Sequence, residues 1–316
     1  MADQDPMIEA FDNRVTRREE RRTFFRTLGV GAAFGAAALF ARGTPAYAQS
    51  SPSDADILNF ALNLEYLEAQ FYYYAAFGNG LPGSILNGTG RRGPVVGGRA
   101  VNFSDPVVRL YATEIARDER DHVEFLRTAL GSSAVAQPTI DISSNEDGAF
   151  STAARAAGLI GPGESFDPYA NDNNFLLAAF IFEDVGVTAY KGAAPLIDNK
   201  TFLEAAAGIL AVEAYHAALI RTTLFRKGVE ESESLITATE RISNARDSLD
   251  DPSDKDQGVA PRKGGSNIAP LDENGLAYSR SPGDVLNIVY LNAGAVTQGG
   301  FFPDGVNGAI VSSSAS

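Results

Sequence analysis

Cysteine is missing from all 316 residues, which rules out a disulfide framework, a thiolate metal site and a thiol nucleophile. Any transition metal held by this chain must bind through carboxylate oxygen and imidazole nitrogen. Imidazole is itself scarce, with two histidines in the chain, and the two methionines are Met1 and Met7. Positive charge is also in short supply. Against 26 Lys and Arg stand 40 Asp and Glu, for a formal charge of -14. Residues 1–48 hold seven Arg and six acids, which leaves 19 basic and 34 acidic residues, or -15, for the remainder. Such a surface repels phosphate backbones and anionic lipid, so neither nucleic acid nor a membrane surface is expected as a partner. Hydrophobic residues make up 44%, enough to bury a sizeable core in one large domain or two.

The two histidines are placed alike. Glu119-Arg-Asp-His122 and Glu213-Ala-Tyr-His216 both read Glu-x-x-His. With 18 Glu in the chain, composition alone would produce that coincidence in roughly one chain in three hundred. On an α-helix, residues i and i+3 share a face with Cβ atoms about 5–6 Å apart, so each pair can aim one carboxylate and one imidazole at a single buried point.

The first 48 residues have the form of an export signal. Arg21-Arg22-Thr-Phe-Phe-Arg26 precedes an apolar run from Leu28 to Ala41 and the small-x-small site Ala46-Tyr47-Ala48. Fourteen or so apolar residues are short for a membrane span. The paired arginines followed by Phe resemble a twin-arginine signal, although Glu20 stands where Ser or Thr is usual and Arg42 interrupts the approach to the cleavage site. The expected mature chain begins near Gln49, has no membrane segment after signal removal, and is periplasmic or extracellular.

Helical spacing from Ser53 to Phe77, with Gly78 beyond, predicts a first long helix. A Gly-rich loop follows to Phe103. Asp105-Pro106, an N-cap with Pro at the first helical position, opens a second helix that stops at Gly131. Residues 132–171 are a long crossover with a short helix at 149–157. A third helix fits Asn173 to Lys191, and a fourth opens at the capping box Thr201-x-x-Glu204 and closes at Lys227-Gly228. Short linkage makes the last two antiparallel neighbours. A charged helix is expected at Glu230 to Leu249 on the bundle surface and a short one at Pro282 to Asn292, with irregular chain between them. The domains expected are a leader at 1–48, a four-helix bundle at 49–228 and a C-terminal extension at 229–316 packed on it.

Each Glu-x-x-His helix follows a helix with its own carboxylate. Glu65 has Tyr72 seven residues on, and Glu183 has Tyr190 seven on, so each Tyr lies two turns along its carboxylate's face. Glu68 competes with Glu65 for the first-helix position, and the shared Tyr spacing favours Glu65. Tyr72 and Tyr190 read as hydrogen-bonded core aromatics beside the site rather than radical sites. Asp118 and Asp184 adjoin these carboxylates and could orient an imidazole or lie exposed, whereas Glu114 and Glu124 fall off the ligand face. The order Glu, Glu-x-x-His, Glu, Glu-x-x-His is that of the di-iron and di-manganese carboxylate bundles.

With these residues the chain resembles the ferritin-like superfamily, and within it the ferritin-like domain family that includes plant desiccation-related proteins. Leu58-Asn-Phe-Ala-Leu-Asn-Leu-Glu-Tyr-Leu-Glu-Ala-Gln-Phe-Tyr72 and Gly299-Gly-Phe-Phe-Pro-Asp-Gly-Val-Asn-Gly308 carry the closer likeness. The resemblance implies an all-α, antiparallel ferritin-like four-helix bundle with a long crossover and a mostly irregular C-terminal region. It implies two divalent metal ions, with Glu119 and Glu213 bridging, Glu65 and Glu183 terminal, and His122 and His216 on one metal each. Four carboxylates would neutralise two M(II) ions, and the donors suit Fe or Mn and also tolerate Zn. The absence of Cys excludes a rubredoxin-type iron centre, and the absence of Met from the mature chain excludes a methionine haem ligand. The function expected is an exported dinuclear protein reacting with O2 or hydrogen peroxide, as an oxidase or catalase-like oxidoreductase. The alternative is a non-enzymatic stress or desiccation protein, structural or metal-sequestering, and a homo-oligomer fits either. A storage cage is a weaker option, because long loops do not suit a compact shell.

Overall fold

The computed structural model describes residues 52–315; the segment 1–48 expected to be an export signal lies outside these residues. Among the described residues seven α-helices run in the order α1 (Asp54–Phe77), α2 (Pro106–Leu130), α3 (Ala149–Ala156), α4 (Asp172–Ala193), α5 (Lys200–Glu230), α6 (Ser234–Asp247) and α7 (Pro282–Val289). Among the described residues the only named strands are β1 (Val95–Gly97) and β2 (Ile140–Ile142), a short parallel pairing in register Val95 to Ile140. These strands lie in the two long connections and lace them together.

Local chemistry sets the ends of α1 and α2. Ser53 accepts from the Asp56 backbone N–H while Asp56 returns a bond to Ser53, a capping box, and Gly78 closes α1 at φ 77°. Asp105 accepts from the N–H groups of Val107 and Val108, and Pro106 needs no partner at the first position. The start and end of α5 differ from expectation. Its N-cap is Asn199, which accepts from Thr201 and Phe202, so the Thr201 capping box does not form. The helix runs through Gly228 to Glu230. Gly228 is there for packing, since a Cβ on it would sit 2.4 Å from Ile236 Cγ1 of α6.

α1 packs along α2, and α4 along α5. The two pairs close on each other to make the four-helix core. Helices α1 and α4 are apolar nearly all round and buried nearly all round, as expected of elements covered on both sides. Helix α4 is covered on its outer side by α6 and α7. Helix α5 is long and apolar enough to cross a membrane by length and composition, yet Glu213, His216 and Arg221 form a polar stripe that is buried. The C-terminal motif serves the core directly. Phe301 lies 5.1 Å from the Phe150 ring and 4.9 Å from that of Phe182, beside Phe71. Asn307 exchanges bonds with Asn63 of α1 and donates to the carbonyls of Arg91 and Ala136. One residue, through its backbone to α1 and its side chain to the loops, thus ties α1 to both long loops.

Candidate metal centre

Six residues from four helices converge in the bundle: Glu65 of α1, Glu119 and His122 of α2, Glu183 of α4, and Glu213 and His216 of α5. None is more than 9% exposed. His122 Nδ1 lies 3.2 Å from Glu65 Oε2, 3.5 Å from Glu119 Oε2 and 3.7 Å from Glu213 Oε1. His216 Nδ1 lies 2.9 Å from Glu119 Oε1 and 3.8 Å from Glu183 Oε2. Glu119 therefore stands between the two imidazoles, whose ring centres are 6.3 Å apart. Ligand atoms of Glu65, Glu119, His122 and Glu213 fall within 4.8 Å of one another, a cluster of metal-site dimensions.

The tyrosines cross over. Tyr72 of α1 donates to Glu183 of α4, and Tyr190 of α4 donates to Glu65 of α1. Spacing placed each Tyr on its own carboxylate's face; tertiary packing gave each to the opposite helix. The reciprocal bonds hold both carboxylates and tie the helix pairs together. Glu68 is buried as well, and a Cβ on Gly186 would lie 3.5 Å from its Oε1 and 2.3 Å from Glu213 Oε2. Glu65, not Glu68, joins the ligand cluster, and Glu68 forms a fifth carboxylate at its margin. Gly186 went unnoticed in the sequence. Its signal was a glycine inside an otherwise apolar helix, the usual mark of a close approach.

The two flanking aspartates part company. Asp118 Oδ2 lies 3.2 Å from His216 Nε2, which turns Nδ1 toward the cage. Asp184 is neither exposed nor bound to an imidazole. It takes Arg221 Nη1 at 2.7 Å and Arg246 Nη2 at 3.0 Å. Glu114 and Glu124 are exposed, off the ligand face. The matching Arg127 and Arg221, each five residues after a histidine, also differ: Arg127 bonds Tyr66, while Arg221 is fully buried.

Electrostatics without a metal are unfavourable. Burial pushes Glu65 up to about 7 and Glu183 up to about 8, and raises Glu68 and Glu213 well above the carboxylate range, aided by neighbouring carboxylates. Burial also opposes charge on Glu119, but His122 and His216 outweigh it and hold this carboxyl far below its ordinary value. Burial disfavours charged imidazoles too, yet Glu65 and Glu119 lift His122 to about 11, and Asp118 and Glu119 lift His216 to about 10. Protons stand in for missing positive charge. Glu119 Oε1 has only His216 Nδ1 beside it, at 2.9 Å, and Glu119 Oε2, Glu183 Oε2 and both oxygens of Glu213 are buried with no hydrogen bond. A buried polar atom with no partner costs about 1–3 kcal/mol, more when charged. Four such oxygens at one point, beside two imidazoles, fit a pair of divalent cations of the Fe or Mn kind.

A family model described as a ferritin-like domain matches residues 53–226. The desiccation-related protein PCC13-62 of Craterostigma plantagineum is 34% identical over 242 residues, 73% of this chain and 75% of that protein. The ferritin-like catalase Nec2 of Nesocodon mauritianus is 31% identical over 273 residues, 82% of this chain and 85% of that protein. No solved structure gives a significant match. With its helices in this order, and with a family model and two relatives covering most of them, the chain belongs to the ferritin-like domain family.

Proposed function

We propose that this is an exported dinuclear metal protein that removes hydrogen peroxide in a catalase-like reaction as part of a stress response. The observation that carries the reading is the buried cage of Glu65, Glu119, His122, Glu183, Glu213 and His216, whose carboxylates meet, among the described residues, no cation except the two histidines. Similarity to a protein named as a ferritin-like catalase supports peroxide as the substrate. Bound there, two Mn or Fe ions would supply the two-electron chemistry that converts two peroxides to O2 and two waters. Tyr72 and Tyr190 orient the terminal carboxylates Glu183 and Glu65, and Asp118 orients His216. Glu68, its carboxyl raised well above the usual range by burial and the adjacent glutamates, lies beside Glu213. Apolar walls keep bulk water from the cage.

The paired arginines and Ala46-Tyr47-Ala48 support export, which N-terminal sequencing of the secreted protein checks at Gln49. Elemental analysis of protein from its native host, followed by peroxide and Fe(II)-oxidation assays on the same sample, tests the function. About two Fe or Mn per chain with oxygen evolution from peroxide is expected. Folded, metal-free protein from a metal-replete host would sink the reading. The similarity to a desiccation-related protein favours a second one, a structural or metal-sequestering stress protein. It would be preferred if stress protection survived substitution of both histidines.

A further inference from the structure

One carboxylate breaks the internal twofold likeness of the cage. Glu65 and Tyr72 of α1 correspond to Glu183 and Tyr190 of α4, and Glu119 and His122 of α2 correspond to Glu213 and His216 of α5. In that correspondence Glu68, three residues after Glu65, falls on Gly186, three residues after Glu183. One half carries an acid where the other carries no side chain at all.

The two positions share one space. A Cβ on Gly186 would lie 2.3 Å from Glu213 Oε2 and 3.5 Å from Glu68 Oε1, so these carboxylates occupy room that a side chain on α4 would fill. Glu68 has therefore reached across from α1 to the wall of α4, one turn beyond Glu183, just as Tyr72 reaches across to Glu183 itself. Of its charged neighbours Glu119 repels it most, then Glu183, then Glu65. With Glu183 and His216 it stands outside the tight cluster of Glu65, Glu119, His122 and Glu213. Glu68 is 7% exposed, and among the described residues it accepts no hydrogen bond and enters no ion pair. A buried carboxylate left so is costly unless a cation meets it.

We propose that Glu68 is a seventh ligand of the dinuclear centre, binding the ion held by Glu183 and His216, so that the two metal positions differ in strength. The proposal rests on the dinuclear reading of the cage. One ion then has Glu183, Glu68 and His216 to itself, and the other has Glu65 and His122, with Glu119 and Glu213 between them. The position with the added anion fills first. Because four carboxylates already neutralise two M(II) ions, the fifth also offsets part of the charge added when the pair is oxidised.

The test uses the purified full chain, stripped with chelator and titrated without oxygen with MnCl2 or FeSO4, while calorimetry follows the heats and equilibrium dialysis counts the bound ions. The wild type should take two ions in two steps at least about tenfold apart, the smallest effect usual even for an outer partner of a metal ligand. Glu68→Gln keeps the shape and removes the charge, so it should weaken the tighter step at least about tenfold and still leave two ions bound. Glu65→Gln should weaken the other step instead. Glu124→Gln, exposed on α2, should change neither. If Glu68→Gln fails to fold, Glu68→Asp carries the test: one methylene shorter, it falls short of α4 and should also weaken the tighter step. Two equal steps in the wild type, or wild-type steps in both Glu68 variants, would overturn the proposal and leave the dinuclear reading standing. A wild-type chain that binds neither ion would overturn both.

Discussion

Glu183 and Asp184 are neighbours on α4 and both are buried, 1% and 7% exposed. They face opposite worlds. Glu183 enters a cluster of five glutamates whose nearest positive groups are two imidazoles; Asp184 enters a network carrying three arginines and a lysine. Burial alone therefore does not tell a reactive carboxylate from a structural one. The compensating charge does. Where guanidinium groups fill the lone pairs, the cluster is a staple; where the oxygens are left without donors, the protein has reserved them for something absent from its own side chains.

The sharpest break of that comparison is to remove both imidazoles. His122→Ala with His216→Ala should abolish Fe or Mn content, by elemental analysis, and with it any peroxide turnover, while far-UV circular dichroism stays that of the wild type. On the other side, Arg221→Met should leave Asp184 and the carbonyls of Gln257, Gly258, Asn267 and Ile268 without this donor. The expected cost is about 3–5 kcal/mol, the range for one partner lost from a buried pair, read by denaturant unfolding, with metal content per folded molecule unchanged. Equal metal loss in both variants would erase the distinction between the clusters.

Smaller substitutions sharpen it. Gly186→Ala would place a methyl 2.3 Å from Glu213 Oε2, so the carboxylate must move; metal affinity should fall about 10–100-fold although alanine is the better helix former by about 1 kcal/mol. Tyr72→Phe and Tyr190→Phe should each lower metal affinity or turnover by about tenfold, and by similar factors, because the crossed bonds are equivalent. The last effect is one of pH. Metal loading at neutral pH must displace protons from His122 and His216, raised to about 11 and 10, and from Glu183, raised to about 8. Affinity should therefore rise with pH and fall in acid, and calorimetric heats of Mn(II) binding should depend on buffer ionisation as protons are released.

Much of the bundle could be read from spacing alone. Ser53, Gly78, Asp105, Pro106 and Gly131 bound their helices as capping chemistry requires. At α5 the local signals of Thr201 and Gly228 are overridden: Asn199, two residues before Thr201, caps the helix, and Ile236 needs the space above Gly228. The short strands β1 and β2 left no period to detect, being three residues each in Gly-rich and polar chain. Asn307 looked like part of a family mark and proved to be a structural tie whose partners lie up to 244 residues away. No local pattern carries that information.

For the site, the sequence by itself determined which atoms could be brought together. Two Glu-x-x-His pairs and two Glu-to-Tyr spacings of seven restrict four helices to facing one point, since i, i+3 and i+7 share a helix face. The lack of cysteine determined the donor chemistry. Only the tertiary structure decided who serves whom: Tyr72 holds Glu183 rather than Glu65, Asp118 holds His216, Asp184 leaves the cage for two arginines, and Glu68 stays within it. The reason is physical. Helical period sets the direction of a side chain about its own axis, whereas the partner it meets depends on how neighbouring helices and a distant C-terminal segment pack around it.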